Sequence, residues 1–123
     1  MKQVQISDKA GRQIVVFDQE DATYPGGVQI DPTSAKARFT DGVVPAGTLL
    51  VPHTDGTFKV ANETLSQTNT AGALGLTAHD VVIDDMPLVA VVMAGTARKD
   101  ALPDKEKAGV AFLRTALPRI SFI

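Results

Sequence analysis

The sequence predicts a mainly β fold, a small α+β domain with one short C-terminal helix. Three observations predict it. Leu88-Val89-Ala90-Val91-Val92-Met93-Ala94 is an apolar run rich in β-branched residues, preceded by Asp84-Asp85-Met86-Pro87 and followed by Gly95. Its length and flanks read as a strand buried on both faces. From Val43 onward, short apolar segments alternate with proline, glycine and Asp-Gly signals, the punctuation of strands and hairpins. Helical periodicity is convincing only between Pro103 and Leu117.

Composition narrows the function. At 123 residues the chain fits one domain, and a hydrophobic content of 44% supports a packed core. Twelve basic residues are interspersed with 14 acidic ones for a net charge of -2, which argues against a basic stripe and so against direct nucleic-acid binding. Aromatics are only 5% and tryptophan is absent, so stacking platforms for bases or sugars are poorly supplied. No cysteine is present, which excludes disulfides and thiolate chemistry. The apolar run is far shorter than the ~20 residues of a membrane-crossing helix, so no membrane partner is expected. Met1 to Gln5 lack the apolar stretch of a secretory signal, so action without signal-peptide export is expected. Asn62-Glu63-Thr64 is then a chance sequon.

Residues 1 to about 42 read as polar and broken. Val4 and Ile6 alternate with polar neighbours, and Ile14-Val15-Val16-Phe17 follows after a turn near Gly11, which suits a hairpin. An acidic cluster (Asp18, Glu20, Asp21), Tyr24-Pro25-Gly26-Gly27 and Pro32-Thr33-Ser34-Ala35 continue an irregular stretch. Val44-Pro45-Ala46-Gly47 suits a type I turn. Thr48 to Val51 reads as a strand, turning at Asp55-Gly56 into Thr57 to Val60. Asn62 to Thr70 reads as an exposed loop. Ala73 to Leu76 and Val81 to Ile83 are short strands before the apolar run.

Pro103 fits the first turn of the helix, with Asp104 and Glu106 near its positive end and Arg114 near its negative end. Ala108, Phe112 and Ala116 mark its apolar stripe, with Gly109, Leu113 and Leu117 beside it. Pro118 ends it. Arg119 to Ile123 alternates, with Ile120 and Phe122 on one face of a closing strand.

No residue set reads as catalytic, cofactor-binding or metal-binding, and no cofactor is expected. His53 and His79 lie in turn-like segments without metal-ligand spacing, so surface histidines are the plainer reading. Gly72-Ala73-Leu74-Gly75 has the spacing of a backbone-clamping G-x-x-G but lacks helices on both sides; turn formation and close backbone approach explain it better. Asp84 and Asp85 lack the further oxygen ligands of a calcium loop. The serines at 7, 34, 66 and 121 have no nucleophile elbow around them. Lys99 beside Arg98 would suit an activated lysine, but Asp100 follows and a solvated rim is simpler. What remains is a set of strand edges of the kind that bind other proteins through added strands.

One resemblance goes further. The succession Val44-Pro45-Ala46-Gly47-Thr48-Leu49, Asp55-Gly56-Thr57, Gly72 to Leu76, Asp80-Val81, Val89 to Gly95, Ala97-Arg98, Leu102-Pro103 and a short helix leading to Ile120–Ile123 resembles the lambda-type phage head decoration proteins. It covers roughly the last two thirds of the chain, and order and spacing carry it rather than any single motif. The resemblance implies a β-clip-like domain over residues 43–123 and an extended N-terminal arm with its connecting segment over residues 1–42. It also implies a non-enzymatic homotrimer on the outer surface of a virion, bound to the major capsid protein and made in the host cytoplasm. Val4, Ile6, Ile14, Val15, Val16 and Phe17 are the expected capsid-binding arm, although this arm is longer and more apolar than the family suggests. The alternatives are a small-molecule-binding or enzymatic β-clip-like domain and a free-standing interaction adaptor.

Overall fold

Leu49 and Leu50 are both fully buried, as are Val91 and Val92. Successive strand residues point to opposite faces, so adjacent buried residues require a strand covered on both sides. The computed structural model describes residues 16–85 and 87–123, and its architecture supplies that double cover. The strands are β1 (Phe17–Thr23), β2 (Val28–Gln29), β3 (Val43–Val44), β4 (Leu49–Pro52), β5 (Phe58–Val60), β6 (Gly75–Thr77), β7 (Val81–Val82), β8 (Leu88–Val89), β9 (Val91–Ala97) and β10 (Ile120–Phe122). The helices are α1 (Pro32–Arg38), α2 (Asp104–Ala108) and α3 (Val110–Ala116). The protein is mainly β with a minor helical part.

The central sheet runs β1-β9-β6-β4-β5, with β10 pairing β9 in parallel beyond the end of β6. Its other pairings are antiparallel. Two small ribbons, β2-β8 and β3-β7, lie off it. Leu49, Val51, Leu76 and Val92 face one core, where Val110, Leu113 and Leu117 of the C-terminal helices, together with Ile120 and Phe122, cover them. Leu50, Val60 and Val91 face a second core, closed by Val28, Ile30, Ala35, Val44, Ile83 and Val89. One sheet thus separates two apolar layers.

The Asp-Gly hairpin is present: β4 and β5 pair Leu50 with Val60 and Pro52 with Phe58 around a single 3₁₀ turn at Thr54–Gly56. Ile120 and Phe122 are buried and Ser121 exposed, as their alternation predicts. Several expectations change. The apolar run is two strands broken at Ala90, since β8 pairs β2 while β9 enters the central sheet. Leu88 is 58% exposed. Gly95 does not end the strand; it lies inside β9 opposite Glu20, where a Cβ would come 2.2 Å from the Gln19 carbonyl oxygen. A glycine there lets β1 approach.

Residues 32–38, expected to be irregular, form α1. Asp31 caps it by accepting from the Ser34 N–H at 3.1 Å, and Pro32 opens its first turn. The turn before β4 is set one residue later than expected: Gly47 has φ +88°, and the Thr48 hydroxyl donates to the Pro45 carbonyl at 2.6 Å. A positive φ at the third residue of Pro45–Thr48 is the type II arrangement, not type I. The loop from Asn62 to Thr70 is mostly exposed but buries Leu65 and Thr70.

The C-terminal helix is broken at Gly109, and its buried stripe is Glu106, Val110, Leu113 and Leu117 rather than Ala108, Phe112 and Ala116. Ala108 is exposed and Phe112 is 40% exposed. Leu65 packs so closely on Gly109, where the helix breaks, that a Cβ there would sit 2.7 Å from Leu65 Cβ. The division near residue 42 is no seam among the described residues, because Val16, Val28, Ile30 and Ala35 all belong to the cores.

Candidate functional site

The edge of the central sheet is the first surface with functional shape. β1 pairs β9 on one side, and among the described residues no strand pairs its other side. Its sequence, Phe-Asp-Gln-Glu-Asp-Ala-Thr, keeps four successive residues from Asp18 to Asp21 exposed. Charge on an edge strand opposes indiscriminate pairing between copies. The Arg98 Nε–Asp18 Oδ1 ion pair at 2.8 Å fixes the start of the strand. With both side chains well exposed, it contributes at most about 1 kcal/mol.

Residue 16 is the anchor of this edge. The Arg98 N–H donates to the Val16 carbonyl at 2.7 Å, and the Val16 side chain is buried in the first core. Phe17 is half-buried against the same core. These two positions therefore leave the predicted arm and join the domain: the core apolar surface available to them outcompetes exposure. Val4, Ile6, Ile14 and Val15 lie outside the described residues. The chain enters the described fold at a sheet edge, beside an open cleft of about 300 Å³ lined by Val16, Phe17, Glu20, Ala46, Ala78, His79 and Asp80.

The histidines are held apart by different elements. His53 follows β4, and its Nε2 lies 3.8 Å from Asp31 Oδ2, beyond hydrogen-bond reach. His79 sits between β6 and β7, where Nδ1 is 2.9 Å from the Asp80 carbonyl oxygen. A carbonyl only accepts, so Nδ1 carries the proton in that contact. Among the described residues, no group of three or more histidine, aspartate and glutamate side chains is placed to hold a metal. Ser34 supports α1, its hydroxyl donating to the Asp31 carbonyl at 3.1 Å, and Ser66 and Asn69 bond each other's backbone N–H groups. Gly72 has φ +75° in a turn, and a Cβ at Gly75 would lie 2.3 Å from the Val92 carbonyl oxygen. The G-x-x-G spacing thus serves a turn and a close strand approach.

Sequence reading missed two features. The first is a groove of about 580 Å³ between the Gln67–Gly72 loop and the outer face of α3, lined by Ala111, Phe112, Thr115 and Ala116. No titratable side chain lines it, so it offers apolar contact and a few hydrogen bonds but no proton transfer. The second is the buried Arg38–Glu106 ion pair. Both side chains are almost completely buried, and the Glu106 carboxylate also accepts from the Leu49 N–H at 2.9 Å. Its signal was present in the spacing: Glu106 continues the Val110, Leu113 and Leu117 stripe backward by one turn.

The described residues thus define a mainly β domain whose distinctive surfaces are a strand edge and an apolar groove. Compared with protein-family models the chain gives no match, and no curated protein matches it either.

Proposed function

We propose that the chain is a capsid decoration protein with a β-clip-like domain, which binds as a homotrimer to the major capsid protein on the outside of an expanded phage head. The segment order from Val44 to Ile123 supports this reading. The observation that carries it is the placement of β1: the chain enters the domain at a charged sheet edge, so residues 1–15 attach where an added strand would reach a neighbour. Its mechanism is additive contact, without catalysis or a cofactor. Three arms on one trimer meet a repeating lattice, and effective concentration makes the whole much tighter than one arm. Contacts bridging adjacent capsid subunits then oppose the outward pressure of packaged DNA, without direct contact to the DNA itself.

The test is to incubate the purified protein with expanded, undecorated phage heads, then sediment the heads. The reading predicts saturable binding at three copies per local three-fold position. Absence of co-sedimentation at micromolar protein rejects it.

A further inference from the structure

Phe112 is left 40% exposed in the α3 groove, beside Ala111 and Ala116, and it belongs to neither apolar core. Gln67 and Thr115 add uncharged hydrogen-bonding groups, and no charged side chain among the described residues lines the groove. A charge entering it would lose water without gaining a counterion. In a chain that is 21% charged, such a groove selects an uncharged segment carrying apolar side chains.

Residues 1–15 precede Val16, where the described fold begins, and they hold two uncharged stretches with aliphatic side chains, Gln3-Val4-Gln5-Ile6-Ser7 and Gln13-Ile14-Val15. Reach decides between them. Val16 lies beside the start of α2, since a Cβ on Gly47 would meet the Leu102, Val16 and Pro103 side chains at 3.0, 3.1 and 3.4 Å. From Pro103 to Thr115 the chain spans at most about 18 Å, at about 1.5 Å per helical residue. Ile14 is tied within about 7 Å of Val16 and falls short of the groove. The stretch from Ile6 to Val16 extends to about 35 Å, enough to round the helix and enter it.

We infer that the occupant of the α3 groove in the free protein is this chain's own Gln3–Ser7 segment, with Val4 and Ile6 turned toward Phe112. Their alternation with Gln3, Gln5 and Ser7 puts both aliphatic side chains on one side of an extended segment. The tether favours this segment over the same segment of a second copy in dilute solution, because a short linker holds it at an effective concentration on the order of millimolar. A small-molecule occupant fits less well: the groove is open, and no convergent set of charged or strongly polar groups would orient a ligand. The cost of ordering the segment offsets much of the gain from two aliphatic side chains, so the contact opens readily and the fold does not depend on it. While it is closed, Val4 and Ile6 are withheld from any other partner, whose apparent affinity is scaled by the undocked fraction. The inference does not rest on the decoration reading, since the groove fills in the free protein whatever the arm later binds.

The chain has no cysteine, so an engineered pair reports the contact without interference. In the full chain at micromolar concentration, Val4→Cys with Thr115→Cys is expected to close an intrachain disulfide against oxidised glutathione about ten-fold more favourably than Val4→Cys with Lys107→Cys. Lys107 is exposed, lies nearer the start of α2 and does not line the groove, so random collisions of the arm favour the control pair. Adding Ile6→Asp, which changes no described residue, should bring the Thr115 pair down to the control. Phe112→Asp should do the same, with the melting temperature of the reduced protein checking that it folds; where it does not, Ile6→Asp decides alone. Equal closure at Thr115 and Lys107, or closure indifferent to Ile6→Asp, overturns the inference. A disulfide that joins two chains instead also overturns it and gives the groove to a second copy.

Discussion

Arg38 at the end of α1 and Glu106 in α2, 68 residues apart in sequence, meet in a two-point buried ion pair. The Arg38 guanidinium also donates to the Ala61 carbonyl at 3.2 Å and lies 4.6 Å from the centre of the Phe39 ring. The Glu106 carboxylate also takes the Leu49 N–H. One pair of charges thus ties both helical layers to the central sheet, with its polar atoms satisfied by protein groups.

Breaking this pair on one side leaves a buried charge without its counterion. Glu106→Ala or Arg38→Ala is expected to lower unfolding stability by about 3–5 kcal/mol, measured by urea denaturation. The double change Arg38→Met with Glu106→Leu should cost less than the sum of the two alanine variants. It will not be neutral, because the Leu49 N–H and the Ala61 carbonyl lose their partners at about 1–3 kcal/mol each. Single substitutions with no effect would show that the pair does not hold the layers together.

Gly109→Ala reverses the usual sign. In an ordinary helix, alanine is favoured over glycine by about 1 kcal/mol. Here the new Cβ would meet Leu65 Cβ at 2.7 Å and Leu65 Cδ1 at 2.8 Å, in a contact that cannot relax by moving a flexible tip alone. Overpacking of about 1–3 kcal/mol outweighs the helical gain, so the variant should melt at a lower temperature than the parent. A higher melting temperature would place Leu65 elsewhere.

Alanine at His53 or His79 should change stability by no more than about 0.5 kcal/mol and leave head binding intact. His53 stands too far from Asp31 for a hydrogen bond, and His79 bonds only to a neighbouring carbonyl among the contacts described. A divalent metal that raises the melting temperature of the parent, but not of the variants, would refute this.

The parts of this fold that sequence revealed are those set by local chemistry. Asp55-Gly56 marks a hairpin because few other residues accept its backbone, and Ile120 and Phe122 alternate because a strand covered on one face must. The parts it concealed depend on distant partners. The C-terminal helix turns its Val110–Leu113–Leu117 stripe toward a core built from distant strands, and it breaks at Gly109, against which Leu65 from a distant loop packs. Residues 32–38 read as irregular because the segment has too little apolar periodicity to announce a helix by itself, although Asp31 caps α1 and Pro32 opens it. Leu88 to Ala94 looked like one strand because no local signal marks the change of sheet at residue 90. For the proposed binding edge, the acidic cluster was legible, but the position of β1 at a sheet edge required the topology.

That topology also moves the boundary of the arm. Removing residues 1–15 is expected to leave the melting temperature nearly unchanged while abolishing or greatly weakening head binding. Removing residues 1–17 should destabilise the domain as well, because Val16 is buried in the first core and its carbonyl accepts the Arg98 N–H. Calorimetry and head co-sedimentation on the two truncations separate the roles. Unfolding of the shorter truncation would make residues 1–15 part of the core.

The proposed cementing role is tested most directly by heating DNA-filled heads, with and without saturating protein, and following DNA release by dye fluorescence. Decorated heads are predicted to release their DNA at a higher temperature than bare heads, with the gain lost when residues 1–15 are removed. An unchanged release temperature on fully decorated heads would contradict the account.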